Sequence, residues 1–147
     1  MQRLVLMPNT TSPAYSKVGE FRPKERRCYF AHSFTVGGTP ISGGAIVASG
    51  TAAIRLHIYP MRVEISIHQV VGRVNADDLT AQLADLAPPV FIETLNRIAD
   101  GESVHHAFPT MVRTVDLQPG SYICKIRSSQ VQTWLHPTDR WDVSLLY

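Results

Sequence analysis

The chain has 147 residues and a formal net charge of +2, and 44% of it is hydrophobic and 18% charged. This length predicts a single domain over residues 1–147 with a core of its own. The near-average proline and glycine contents exclude a collagen-like or wholly disordered chain. A membrane helix needs about 20 apolar residues, and no run here approaches that, so we expect no membrane partner.

The amino-terminal region divides into a short strand and a long polar segment. Residues 2–7 are mostly apolar and predict a strand that Pro8 ends. Residues 8–27 break any period and predict an extended arm or long loop within the domain. Because only four apolar residues separate Arg3 from Pro8, we expect no signal peptide and cytoplasmic synthesis.

Charge is divided between this arm and the middle of the chain. The arm carries two acidic side chains and five basic ones. The basic residues are Lys17, Arg22, Lys24, Arg26 and Arg27. Residues 76–102 carry six acids and one arginine, a net charge of about −5. The arm of one copy would therefore attract the middle of another. A solvated loop is the alternative, and single-stranded nucleic acid is a weaker third choice for a basic arm with interleaved aromatic residues.

Several segments rich in β-branched and aromatic residues predict strands. They cover residues 28–36, 41–48, 53–71, 111–116, 122–127, 131–136 and 140–147. The Gly43-Gly44 pair inside the second segment predicts a bulge or a close approach of another backbone. In the third segment, apolar and polar residues alternate, and Pro60 shifts the phase by one position. That pattern predicts two half-buried strands, or one long strand bent at Pro60.

A helical period predicts one kinked helical segment over about residues 76–100. Leu79, Leu83 and Leu86 recur at helical spacing after a capping Asn75, and the period resumes after two prolines. The resumed stripe consists of Phe91, Leu95 and Ile98. The predicted fold is therefore β-rich α+β: an antiparallel sandwich or barrel of six to eight strands, one helical segment and an extended amino-terminal arm.

The polar positions of the third segment contain one candidate catalytic pair. His57 and His68, with Arg55 or Arg62, would suit metal-independent cleavage of RNA. One imidazole would remove the 2′-hydroxyl proton, the other would protonate the leaving oxygen, and arginine would stabilise the phosphorane. The simpler interpretation is a solvated sheet face, because strand alternation alone produces such a row.

Other reactive residues lack the spacing that their chemistry requires. His105, His106 and His136 show no metal-ligand spacing. Cys28 and Cys124 are 96 residues apart in no C-x-x-C pair, so free thiols or one long-range disulfide are expected. We therefore predict no metal and no cofactor.

Two tryptophans are candidates for a protein interface. Trp134 and Trp141 flank a polar stretch, and tryptophan is enriched at binding hot spots. Packing in the core is the alternative.

These observations favour a non-enzymatic, self-assembling structural subunit whose partners are copies of itself or other protein subunits. A virus particle component (tail, head or decoration protein) would have such features, by analogy. The RNA-cleaving enzyme is the first alternative. The second is an inhibitor or adaptor that binds a host protein through its tryptophans and acidic segment.

Overall fold

A computed structural model describes residues 2–10, 29–53, 60–70, 88–98, 105–128 and 140–147. All regular structure in these ranges is β-strand. The strands are β1 (Arg3–Thr10), β2 (Tyr29–Val36), β3 (Ile41–Ala53), β4 (Pro60–Gln69), β5 (Phe91–Ile98), β6 (His105–Ala107), β7 (Met111–Leu117), β8 (Gly120–Ser128) and β9 (Arg140–Leu146). Within them no helix has the length and apolar character needed to cross a bilayer.

The strands form two antiparallel sheets. In the five-stranded sheet the order is β1-β9-β3, and the 13-residue β3 then pairs along its other edge with both β7 and β6. The four-stranded sheet has the order β2-β8-β4-β5. β1 lies against β2, and an ion pair joins β7 to β5, so the two sheets face each other in matching order. This is the strand order of a jelly roll.

The core lies between the sheets and follows the period-2 alternation of the strands. Val63, Ile65 and Ile67 of β4 are at most 1% exposed and point inward. Their partners on the neighbouring strand β8 include Ile126 and Cys124, which are fully buried. Alternation of this kind buries one face of each sheet and leaves the other face outside.

The predicted α+β class is wrong, because the described part of the chain is all-β. Phe91–Ile98, predicted as the second half of the helical segment, forms β5 and pairs with β4 along eight register positions. Leu95 faces Val63 in that ladder and is 9% exposed, whereas Ile92 on the other face is 51% exposed. Pairing with a buried strand overrode the local helical spacing. The remainder of the predicted helix, over residues 76–87, lies outside the described residues.

The structure also tests the predictions on strand number, the bulge and the amino-terminal segment. The β-rich character is confirmed, although the described residues alone form nine strands, more than the predicted six to eight. The bulge at Gly43-Gly44 is confirmed by a register shift between Ile41 and Gly44 and a φ of +65° at Gly43. β1 runs through Pro8 to Thr10, because an edge strand with register shifts accommodates a proline. Residues 11–27 of the predicted arm lie outside the described residues.

Candidate functional site

The polar row predicted along β4 lies on the outer face of the four-stranded sheet. Arg62 is exposed there, whereas Ser66 is 1% and His68 7% exposed. Glu64, between Arg62 and Ser66, is partly buried. The alternation was therefore predicted correctly over these positions, but part of this face is buried and not solvated.

His68 is held by a neighbour on its own strand. Its Nε2 lies 2.9 Å from the Ser66 hydroxyl, and both side chains are buried. So little of the pair is exposed that an external phosphate has almost no access to it. His57 and Arg55 lie outside the described residues, and Pro60, where β4 begins, is about 26 Å along the strand from His68. The His57–His68 site stays a prediction.

Next to this pair, Glu64 and Arg127 form a bidentate ion pair across β4 and β8. The distances are 2.8 Å from Arg127 Nε to Glu64 Oε1 and 3.2 Å from Nη2 to Oε2. The two residues are direct register partners, which holds the planar guanidinium against the carboxylate. This geometry ties two strands together and leaves neither charge free for catalysis.

Among the described residues, neither a reactive cysteine nor a metal site is present. Burial raises the pKa of the Cys124 thiol to about 12, so it stays protonated and is a poor nucleophile. Cys28 and His136 lie outside the described residues. Among the residues that the structure places, no three His, Cys, Asp or Glu side chains come together as a metal site.

The two predicted interface groups differ in where they lie. Trp141 is 1% exposed and packs in the core against Phe108, with 5.2 Å between ring centroids. Its ring therefore offers no surface to a partner. Trp134 and the basic arm residues Lys17, Arg22, Lys24, Arg26 and Arg27 lie outside the described ranges, and their interface role stays a prediction.

A surface that the sequence did not indicate lies on the outer face of the five-stranded sheet. Val5, Ser144, Val47 and Val112 are successive cross-strand partners on β1, β9, β3 and β7, and we call them the valine row. Val112 is 56% and Val5 44% exposed, and Val47 is partly exposed. Ser144, between Val5 and Val47, is only 5% exposed, so the apolar surface of the row consists of Val47 and Val112 on one side of Ser144 and Val5 on the other.

The charges beside the valine row are paired with each other. Arg3 donates from Nε and Nη2 to the Ser144 hydroxyl at 3.1 and 2.9 Å. Its Nη2 also lies 3.5 Å from Asp142 Oδ1, and the Ser144 hydroxyl donates to the same carboxylate oxygen at 3.3 Å. This network neutralises the border of the row and fixes Ser144 within it.

A groove of about 590 Å³ lies where the starts of β1 and β3 meet the end of β2. Leu4, Val36 and Ile41 give it apolar walls, and Val36 and Ile41 are themselves buried. Its other lining residues are all uncharged: Gln2, Thr35, Gly37, Gly38, Thr39 and Tyr147. An uncharged lining with an apolar base suits a neutral occupant rather than a phosphate or a carboxylate.

Comparison with known proteins gives structural similarity at low sequence identity and no match at the level of sequence families. No family model and no curated protein matches the chain. Among solved structures, the chain is similar to the K3 cleaved adhesin domain of Lys-gingipain from Porphyromonas gingivalis w83, with 12% sequence identity and a TM-score of 0.48. The similarity covers 99% of this chain and 71% of that one. We therefore infer function from the surfaces of this chain itself.

Proposed function

We propose that this protein is a non-enzymatic structural subunit that assembles with copies of itself through the outer face of its five-stranded sheet. The valine row is the observation that carries the proposal. The outer face of a sandwich sheet is normally polar along each strand, and contiguous exposed apolar surface marks interaction sites on soluble proteins. Here Val112 and Val47 are neighbouring apolar side chains on this face, and Val5 lies beyond the buried Ser144.

The dimensions and charge of this face suit packing against its own copy. Strands lie about 4.8 Å apart, so four of them give the row a width of about 14 Å. Side chains in the row are short, which allows a second sheet to approach to about 10 Å, as sheets do inside a sandwich. The four side chains of the row are uncharged, and the Arg3 guanidinium that lies on Ser144 is paired with Asp142, so a two-fold arrangement that stacks the row on itself brings paired charges together and not lone ones.

A virus particle component, in a tail, a head or as decoration, is the specific form of this proposal. Jelly-roll sandwiches form viral capsids, and they also occur in lectin domains and cupins. Fold alone does not choose among these functions. Electron microscopy of the purified protein is the direct check, since regular rings, tubes or shells are expected for a particle subunit and not for a monomeric binding domain.

Replacing Val112 by lysine tests the contact surface. Val112→Lys places a charge at the most exposed apolar position of the proposed interface, so we expect dimerisation at least tenfold weaker by analytical ultracentrifugation. Ile92→Lys is the matched control, because Ile92 is similarly exposed, at 51%, but lies on the outer face of the other sheet. Equal association of V112K and the wild type would refute the proposed surface.

A further inference from the structure

We infer that β2 is a second self-association element, which pairs edge to edge and antiparallel with β2 of another copy. The inference rests on the proposed self-assembly and adds a contact surface that the valine row does not include. It follows from a comparison of the strands at the sheet edges, since an edge strand displays unpaired N–H and C=O groups that template further pairing.

Three of the edge strands carry features that oppose such pairing. β1 contains Arg3 and Pro8 and shows two register shifts against β9. β5 contains Glu93 and Arg97. β7 contains Arg113 and Asp116. Charges, proline and bulges on an edge are the devices by which soluble proteins avoid edge-to-edge association.

The Arg113 side chain shows this protection directly on β7. Its guanidinium donates to the Val112 carbonyl at 2.9 Å and lies 3.5 Å from Glu93 of β5 in the facing sheet. One ion pair thus places charges at the side of the sandwich where β7 and β5 form the edges, and these charges oppose pairing with another chain.

β2 lacks every one of these features. Its sequence, Tyr29–Val36, contains no proline and no Asp, Glu, Lys or Arg. It pairs with β8 through eight consecutive positions without a register shift, so the strand is regular along its whole length. Among the described strands β8 is its one neighbour in the sheet, and Ser33 and Thr35 are exposed.

The composition of β2 favours another β2 as its partner. Antiparallel pairing of a strand with itself places like residues opposite or diagonal, and like charges there are destabilising. β2 has no permanent charge, and burial lowers the pKa of His32, which therefore stays neutral at pH 7. Antiparallel pairing of residues 30–36 with Ser33 opposite its own copy keeps the outward side chains of both copies on one face. It gives about six to eight inter-chain hydrogen bonds and joins two four-stranded sheets into one continuous sheet.

The uncharged groove lies beside the end of this edge. Thr35 and Val36 of β2 line it together with Leu4 and Ile41. In an antiparallel pair, the start of one strand lies beside the end of the other, so the first residues of the partner's β2 would reach the mouth of the groove.

A lysine scan of the two edges of the same sheet tests the inference. Ser33→Lys places a charge at an exposed position near the middle of β2, and we expect association at least tenfold weaker by native mass spectrometry. Thr94→Lys is the control, because Thr94 is also exposed but lies on β5, the opposite edge. Mixing S33K with S33E subunits should restore association, since opposite charges then meet across the strand pair.

Hydrogen exchange on the wild-type protein gives an independent readout that needs no variant. Protection of the peptide spanning residues 29–36 should rise with protein concentration, and S33K should abolish that rise. Exchange in β2 that does not change with concentration, together with full association of S33K, would overturn the inference. Association lost in S33K but retained in V112K would support the β2 contact and refute the valine row. Association lost in V112K but retained in S33K would support the valine row and refute the β2 contact. A monomer at every concentration would overturn both.

Discussion

Position 50 has room for a hydrogen atom and for nothing larger. A Cβ on Gly50 would clash with the indole ring of Trp141, because the two residues face each other across the β3–β9 ladder. The indole ring therefore packs over the backbone of β3, in space that a side chain would otherwise occupy. A sequence can show that Gly50 interrupts a strand, but the reason lies 91 residues away and appears only once the register is known.

We predict that Gly50→Ala destabilises the protein by about 1–3 kcal/mol, the usual cost of overpacking a core. Urea unfolding followed by Trp fluorescence measures this. Gly37→Ala is the matched control, because nothing lies within 4 Å of a Cβ built at Gly37. Equal midpoints for G50A and G37A would show that Trp141 can move aside.

A second residue-level prediction concerns pH. Burial lowers the pKa of His32 below 6.5, so the folded state binds a proton less readily than the unfolded state. The unfolded chain is therefore protonated first as the pH falls, and stability is full above pH 6.5 and declines below it. His32→Gln should reduce the loss of stability between pH 7.5 and pH 5 in urea titrations. An identical decline in H32Q and wild type would assign the pH dependence to other groups.

At the scale of elements, strands were predicted correctly where apolar and polar residues alternate strictly. The prediction was wrong where the same residues fit both the helical period and the strand period. In β4 the alternation of Val63, Ile65 and Ile67 admits one interpretation, and the strand is there. Phe91 and Leu95 of β5, by contrast, fit either a helical stripe or one face of a strand. The deciding fact is that β5 pairs with β4, which no local period reveals.

The bulge in β3 shows what a short motif can specify by itself. The glycine pair predicted a bulge, and Gly43 adopts the positive φ that favours glycine. Its N–H donates to Asp116 Oδ1 at 2.6 Å. The backbone geometry of the bulge could thus be predicted from residue type. That a carboxylate on β7 accepts this hydrogen bond could not be predicted, because it depends on the pairing of β3 with β7.

Two ion pairs that link different strands should differ in strength. The side chains of Arg127 and Glu64 are 28% and 14% exposed and meet in bidentate geometry, whereas those of Arg113 and Glu93 are 50% and 32% exposed and lie 3.5 Å apart. We expect a coupling energy of about 1–2 kcal/mol for the first pair and below about 0.5 kcal/mol for the second. Double-mutant cycles with glutamine replacing each charged residue measure both values. Equal couplings would contradict the assignment of the first pair as a structural tie.

At the scale of the whole molecule, the sequence correctly predicted abundant strands but neither the two-sheet order nor the surface that the order creates. Val5, Val47 and Val112 are far apart in the chain and come together only because β1, β9, β3 and β7 are neighbours. The predicted catalytic row shows the same limit, since the burial of Ser66 and His68 depends on tertiary packing. Residue type predicted which strands exist, and long-range pairing decided which surfaces they present.

Self-association through the apolar side chains of the valine row differs from association through a charged arm in its response to salt. Apolar contacts persist or strengthen in sulfate, whereas contacts between the basic arm and the acidic middle segment weaken as salt screens them. The central measurement is therefore the mass of the untagged protein by analytical ultracentrifugation, over a range of concentrations at low and high sodium sulfate. We predict a discrete oligomer that persists at high salt. A monomer under all conditions would contradict self-assembly, and an oligomer that dissociates at high salt would contradict assembly through the valine row.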